Sequence, residues 1–192
     1  MYKCLIFDFD GTIVDSNLIK KSLFYKVLDE FDIDKNELKV QISIDGKSRN
    51  QIIRGLLSKY SEEVVLKCIK IYSILTFDKI SKIIPNKYFF EVVEYCKKNG
   101  IYLVLSSNTP ENELIKIIKE MNLFNVFNEV HGSPKLKSET LKKIIIENNF
   151  FSNQILVVGD GESDKISAED NNCDFIHVNQ NSLKKLKQTL IC

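Results

Sequence analysis

The sequence lacks a long hydrophobic run, an excess of one charge, internal repeats and low-complexity linkers. No apolar segment approaches the ~20 residues that a membrane-spanning helix needs, so we expect no membrane partner. Lys and Arg total 27 against 26 for Asp and Glu, which leaves a net charge of +1. A chain with this balance has no global field that favours nucleic acid, so we expect no nucleic-acid partner.

Cysteine pairs at CxxC spacing are also missing. The count of five is odd and several cysteines fall within apolar runs, which indicates reduced thiols. The N-terminus shows no basic, apolar and small-residue pattern of a signal peptide. We therefore expect a cytoplasmic protein, and we expect a monomer. A chain of 192 residues can bury one substantial core with a small accessory subdomain.

The most informative segment that is present lies near the N-terminus. Apolar residues 4–7 run into Asp8, Phe9 and Asp10, followed by a Gly-Thr pair. The apolar part is typical of a buried strand of a parallel sheet, and side-chain alternation places Asp8 and Asp10 on one face if the strand persists. Two like charges at a strand end are costly unless a cation lies between them. The segment therefore indicates a metal-assisted reaction.

The rest of the chain divides into two parts. Residues 16–80 show helical spacing, with helices predicted over 48–59 and 61–77, and no clear strand. From residue 85 onwards strands and helices alternate. Strands are predicted over 101–105, 127–131, 154–158 and 173–178. Helices are predicted over 85–98 and 138–149, from about residue 162, and at the C-terminus. A further helix is predicted to start with Thr109 as its N-cap and Pro110 as its first helical residue.

Repeated strand–helix–strand order predicts an α/β fold with a parallel sheet covered by helices on both faces. The link between the first strand and the helix at Pro85 exceeds 70 residues, which is too long for a plain crossover. An inserted helical subdomain explains it better. We therefore predict a core formed by residues 1–15 and 81–192, and a helical insertion over 16–80.

Each polar cluster of the sequence follows a predicted strand. Asp8 and Asp10, residues 106–108, and residues 159–164 would meet at the carboxyl edge of the sheet, where open α/β sheets bind ligands. Carboxylate oxygens at this edge suit Mg²⁺, a hard cation that prefers oxygen ligands. A hydroxyl and backbone N–H groups near a helix N-terminus suit phosphate oxygens.

These motifs resemble the signatures of the haloacid dehalogenase-like superfamily, whose members are mostly Mg²⁺-dependent phosphohydrolases. The run DFDGT is similar to the first signature, and Gly-Asp-x-x-x-Asp at residues 159–164 is similar to the fourth. The resemblance implies a Rossmann-like core with a helical cap inserted after the first strand. It implies that Asp8 is the nucleophile and Asp10 the general acid/base. It also implies metal binding by Asp8, the backbone carbonyl of Asp10, Asp160 and Asp164, with Glu162 as a competitor that the spacing disfavours.

The same resemblance implies the phosphate-binding residues. Ser106 matches the second signature, and Gly11, Thr12, Ser107 and Asn108 are further candidates. The third signature is a lysine that neutralises the nucleophile and the phosphoryl group. We prefer Lys137, which immediately precedes a predicted helix, over Lys135. The usual Lys-Pro pair is absent, which leaves that choice open.

Substrate recognition is assigned to the helical cap. A Gly-x-Ser-Arg turn ending at Arg49 is similar to one in β-phosphoglucomutase and related phosphatases. In the mutase this arginine binds the distal phosphate of the substrate, which implies that Arg49 binds an anionic group of the substrate here. The alternative for Arg49 is an exposed residue at a helix N-terminus.

The resemblance as a whole predicts a phosphatase acting on a small phosphorylated metabolite through an aspartyl-phosphate. The alternatives are a phosphomutase, disfavoured because Lys20 stands where the mutase has a histidine, and a receiver-like phospho-switch, disfavoured by the long helical insertion. Haloacid dehalogenation is disfavoured because a complete acidic Mg²⁺ site would be redundant there.

Overall fold

The computed structural model describes residues 1–31, 48–178 and 182–191. Within these ranges, five strands form one parallel sheet in the order β3-β2-β1-β4-β5. The strands are β1 (Cys4–Phe7), β2 (Tyr102–Pro110), β3 (Glu129–Ser133), β4 (Ile155–Gly159) and β5 (Asp174–His177). The helices are α1 (Asn17–Asp29), α2 (Arg49–Leu56), α3 (Glu62–Ile80), α4 (Lys87–Lys98), α5 (Glu111–Glu120), α6 (Lys137–Glu147), α7 (Glu162–Asp170) and α8 (Leu183–Ile191). The predicted α/β class, with a Rossmann-type parallel sheet flanked by helices, is confirmed.

The central strand β1 is buried on both faces, as its uninterrupted apolar sequence requires. Leu5 and Phe7 pack with residues of α4, α5 and α8 on one face of the sheet. Cys4 and Ile6 pack with residues of α6 and α7 on the other face. Phe7 is in register with Leu105 of β2 and with Val158 of β4, so the chain segments that follow these three strands meet at one edge.

Helices α1, α2 and α3 form a separate hydrophobic cluster, and we call these three helices the helical lobe. Phe24 of α1 and Tyr72 of α3 meet edge to face, with ring centroids 5.5 Å apart. Ser61 accepts a hydrogen bond from the backbone N–H of Val64, which caps α3 at the position that the sequence indicated. The division of the chain at residues 15/16 and 80/81 stays a prediction, and the separate cluster is in keeping with it.

Several boundaries differ from those that the sequence indicated. Strand β2 continues to Pro110 instead of ending near residue 105, and α5 begins at Glu111. Pro110 therefore occupies the N-cap position expected for Thr109, whose side chain is directed elsewhere. The turn at Asp45 to Lys47 lies outside the described residues, as does the side chain of Arg49, the first residue of α2. Of the helices described, none is long and apolar enough to cross a membrane.

Candidate active site

A cavity of about 530 Å³ lies at the carboxyl ends of β1, β2 and β4, with residues of the helical lobe on its opposite side. This is the sheet edge at which the sequence placed the polar clusters. The predicted site residues that line the cavity are Asp8, Asp10, Ser107, Asn108, Lys137, Asp160 and Asp164. Four separate segments of the chain therefore contribute to one site.

Lys137 lies between two carboxylates at the floor of the site. Its Nζ atom donates to Asp8 Oδ1 at 2.6 Å and to Asp164 Oδ1 at 2.7 Å. All three side chains are buried. Burial opposes the charge of Lys137, but the adjacent Asp8 and Asp164 carboxylates raise its pKa overall. The ammonium group is therefore firmly held beside Asp8.

Asp8, Asp160 and Asp164 form an acidic cluster, with one oxygen of each within 4.8 Å of the others. Burial, with the nearby charge of Asp164, raises the pKa of Asp8 to about 7 even though Lys137 lowers it. Burial and the charge of Asp8 raise the pKa of Asp160 to about 6. One lysine faces three carboxylates, so negative charge is unbalanced. Oxygen donors with an excess of negative charge fit a hard divalent cation such as Mg²⁺.

Two glycines permit the close approach of these carboxylates. Gly11 has φ of +79°, and a Cβ atom there would lie 1.9 Å from Asp160 Oδ2. A Cβ atom at Gly159, the last residue of β4, would lie 2.2 Å from Asp164 Cγ. A side chain at either position would displace a carboxylate from the cluster.

Asp10 belongs to a different network on the side of the helical lobe. Its Oδ1 atom accepts from Ser16 Oγ at 2.5 Å, and its Oδ2 atom accepts from Thr109 Oγ1 at 2.9 Å and forms an ion pair with Lys20. Burial disfavours the charged form of Asp10, but Lys20 and the two hydroxyl groups lower its pKa overall. Asp8 and Asp10, two residues apart, therefore have opposite pKa shifts.

Three of the expected phosphate-binding residues do not line the cavity within the described part of the chain. Ser106 and Ser107 are both buried, but of the two only Ser107 lines the cavity, because β2 continues through this pair and successive side chains point to opposite faces. Thr12 Oγ1 instead faces Asp160 Oδ1 at 3.5 Å, and the backbone N–H of Gly11 donates to the Val14 carbonyl at 2.8 Å. Phosphate binding by Gly11, Thr12 and Ser106 stays a prediction, and of the two adjacent serines it is Ser107 that lines the cavity.

The two candidate lysines, Lys135 and Lys137, differ in exposure and in the residues that they contact. Lys135 is half exposed and pairs with Glu111 at 2.9 Å, whereas Lys137 contacts Asp8. The geometry therefore favours Lys137, as the sequence did.

Sequence reasoning missed four polar residues that shape the site. Ser16 and Thr109 donate to Asp10, and Asn17 Nδ2 donates to Asp160 Oδ2 at 2.7 Å. The fourth is Ser163, whose Oγ accepts from Nδ2 of the predicted Asn108 at 3.1 Å. Thr109 lies near the carboxyl end of β2, close to residues 106–108, and could have been included for that reason. Ser16 and Asn17 carry no such signal, because their role depends on how α1 returns over the sheet edge.

The chain resembles one family of known proteins. The family model for haloacid dehalogenase-like hydrolase matches residues 5–178. No curated protein sequence matches the chain significantly.

Three solved structures illustrate the structural likeness. CbbY from Rhodobacter sphaeroides in complex with phosphate has a TM-score of 0.76 at 12% identity, covering 93% of this chain and 87% of that chain. A predicted phosphoglycolate phosphatase from Haemophilus somnus gives 0.75 at 17% identity, with coverages of 95% and 91%. A candidate β-phosphoglucomutase from Thermotoga maritima gives 0.74 at 14% identity, with coverages of 99% and 100%. At such identities these likenesses show the fold.

Proposed function

The chain belongs to the haloacid dehalogenase-like hydrolases, and on that premise we propose that it is a Mg²⁺-dependent phosphatase of a small phosphorylated metabolite. The reaction would proceed through an aspartyl-phosphate on Asp8. The observation that carries the proposal is the position of Lys137 Nζ, 2.6 Å from Asp8 and 2.7 Å from Asp164, beside a cluster of three carboxylates. This combination pairs a candidate nucleophile with groups that neutralise phosphoryl charge.

Asp8 would attack phosphorus in line with the leaving group. A bond forms between its carboxylate oxygen and phosphorus while the bond from phosphorus to the ester oxygen breaks. Lys137 would stabilise the charge on the phosphoryl oxygens and orient Asp8. Ser107 and Asn108, which line the same cavity, would donate hydrogen bonds to the phosphoryl group.

Asp10 would move the protons of both steps. It would protonate the departing ester oxygen and then take a proton from the water whose oxygen attacks the phosphorus of the aspartyl-phosphate. That second attack releases inorganic phosphate and restores the Asp8 carboxylate. The Lys20 ion pair and the lowered pKa favour the ionised form of Asp10, which is the form that accepts a proton. Proton donation in the first step requires the ion pair with Lys20 to loosen when the substrate binds.

Asp8, Asp160 and Asp164 would hold Mg²⁺, with the backbone carbonyl of Asp10 as a further ligand. When bound, Mg²⁺ would supply positive charge that offsets the negative charge of the phosphoryl oxygens. The excess of negative charge in the acidic cluster and the close approach permitted by Gly11 and Gly159 support this assignment.

The helical lobe would act as a cap that covers the cavity and excludes bulk water during the reaction. Its contacts with the sheet edge through Lys20 and Asn17 support this role. Arg49 at the start of α2 is retained as a proposed contact for an anionic group of the substrate, which on an ester with an uncharged organic group is the phosphoryl group itself.

The direct test is phosphate release from p-nitrophenyl phosphate with Mg²⁺ and with EDTA. We expect steady multiple turnover that requires Mg²⁺. A single turnover followed by arrest would indicate a phospho-switch instead. A screen of phosphorylated metabolites would then identify the substrate, and interconversion of sugar 1-phosphate and sugar 6-phosphate without phosphate release would indicate a mutase.

A further inference from the structure

The helical lobe forms one wall of the cavity, and apolar side chains contribute to this wall. Leu18 of α1 is 76% exposed yet lines the cavity, and Phe24, Ile52 and Pro110 line it as well. A single exposed leucine is ordinary on a protein surface. Leu18, Phe24 and Ile52 all belong to the helical lobe, and apolar side chains in a cavity that also contains a candidate nucleophile are typical of a binding surface for a ligand.

Three polar groups of the helical lobe that line this cavity, those of Lys20, Tyr72 and Asn17, are hydrogen-bonded within the protein. The Lys20 ammonium is held by Asp10 and Thr109, and the Tyr72 hydroxyl donates to the backbone carbonyl of Lys20 at 3.1 Å. The Asn17 amide donates to the acidic cluster. A ligand with many hydroxyl groups would therefore lose hydrogen bonds to water and regain few of them from the described residues.

Two charged side chains also line the cavity, Lys21 of α1 and Glu162 of α7. Both are exposed to solvent, and Glu162 Oε1 lies 3.9 Å from Lys165 Nζ. They have opposite charges, so together they do not favour a second anion over a neutral group. The apolar residues therefore determine which organic groups fit this wall.

We propose that the cavity selects a phosphate monoester whose organic group is compact and apolar, and disfavours one that is polyhydroxylated. The inference rests on the proposed phosphatase function, because it concerns the leaving group of that reaction. Apolar surface of Leu18 and Ile52 would be removed from water by an apolar leaving group, whereas a sugar would bury hydroxyl groups against it. A cavity of about 530 Å³ has room for the phosphoryl group and a six-membered ring.

The test compares cyclohexylmethyl phosphate with glucose 6-phosphate. Both are monoesters of a primary alcohol that carries a six-membered ring, so they differ mainly in their hydroxyl groups. We expect kcat/KM with Mg²⁺ to be at least about tenfold higher for cyclohexylmethyl phosphate. Equal values, or a preference for glucose 6-phosphate, would overturn the inference.

Leu18→Asn tests the wall directly, because it keeps a similar size and replaces apolar surface with a polar amide. We expect kcat/KM for cyclohexylmethyl phosphate to fall about threefold to tenfold, while the value for glucose 6-phosphate does not fall. Leu66→Asn is the matched control, since Leu66 is half exposed on α3 and does not line the cavity. A preference unchanged by Leu18→Asn would contradict the role of this wall.

Measurements of ligand affinity distinguish a failure of this inference from a failure of the proposed phosphatase function. Calorimetry with both esters, on the Asp8→Asn variant and on wild type in EDTA, measures affinity without turnover. Tighter binding of cyclohexylmethyl phosphate with no hydrolysis by wild type would support the inference and refute the phosphatase. Hydrolysis of both esters at similar rates would refute the inference and leave the phosphatase standing.

Discussion

Lys20 of the helical lobe forms an ion pair with Asp10, which follows β1 at the edge of the sheet. The same Nζ atom donates to Thr109 Oγ1 at 2.8 Å, and Thr109 in turn donates to Asp10. The group proposed to transfer protons is therefore held jointly by the lobe and by the end of β2. A change at Lys20 should affect chemistry at Asp10 more than binding of the phosphoryl group.

Lys20→Met should lower kcat at least about tenfold and change KM little, because the lost contact is to Asp10. Lys20→Arg keeps the positive charge and should restore part of kcat. Lys26→Met is the control, since Lys26 is an exposed residue of the same helix. Steady-state kinetics on p-nitrophenyl phosphate measures all three variants. A wild-type kcat for Lys20→Met would show that the ion pair is dispensable.

Asp8→Asn should abolish turnover while the protein stays folded. The substitution removes the proposed nucleophile, so we expect kcat to fall by at least about 10⁴-fold. Burial already disfavours the charged form of Asp8, so its replacement by a neutral amide should preserve the fold. Circular dichroism checks the fold and phosphate release checks the activity. Asp15→Asn, at an exposed position of the same loop, should behave as wild type; substantial activity of Asp8→Asn would exclude the covalent mechanism.

The two candidate lysines should differ in stability as well as in activity. Lys137→Met leaves two buried carboxylates without their cation, which should cost about 3–5 kcal/mol in the free energy of unfolding in EDTA and remove activity. Lys135→Met breaks a half-exposed pair with Glu111, which should cost less than about 1 kcal/mol. Urea denaturation and phosphate release measure these effects. Similar losses in the two variants would contradict the assignment of Lys137.

The sheet and the convergence of Asp8, Asp10 and Asp160 were predictable from sequence. Apolar strands carry a strong local signal, and the carboxyl ends of parallel strands meet at one edge whatever the details of the loops. Which of Ser106 and Ser107 lines the cavity was not predictable, because the answer required the end of β2 to within one residue. Strand boundaries are weakly encoded, and an error of one residue exchanges Ser106 and Ser107 between the two faces.

Contacts between the helical lobe and the sheet edge were not predictable in this way. The bonds from Ser16 and Lys20 to Asp10, and from Asn17 to Asp160, depend on the direction in which α1 leaves the loop after β1. No local pattern sets that direction, because it follows from the packing of α1 against α3. Thr109 illustrates the same limit, since its hydroxyl binds Asp10 instead of capping α5.

Mg²⁺ should raise the melting temperature of the protein. At a free concentration of about 100 times Kd, binding adds about 2.7 kcal/mol, which corresponds to roughly 5–10 °C for a chain of this size. Asp160→Asn should remove most of this shift. In EDTA at pH 7 the Asp160→Asn substitution should itself raise the melting temperature. Burial and the charge of Asp8 raise the pKa of Asp160 to about 6, so its charged form destabilises the folded protein at pH 7, and the neutral amide removes that cost.

Differential scanning calorimetry with Mg²⁺ and with NaCl at matched ionic strength tests the metal site. A Mg²⁺-dependent shift that survives in Asp160→Asn would place the metal elsewhere.

Glu111 should make the stability of the protein depend on pH through the segment that leads to Lys137. Its carboxylate accepts from Lys135 Nζ at 2.9 Å and from the backbone N–H of Gly132 at 3.2 Å, and the bond from Lys135 is the main reason that its pKa is lowered. A carboxyl group with a lowered pKa contributes stability above its unfolded pKa of about 4.3, and this contribution is lost as the pH falls through the folded pKa. Glu111→Gln should therefore lower the free energy of unfolding at pH 7, by less than about 1 kcal/mol, and have a smaller effect at pH 3. Urea denaturation at both pH values measures the difference, with Glu120→Gln on the same helix as control; an equal loss at both would show that the charge of Glu111 contributes nothing.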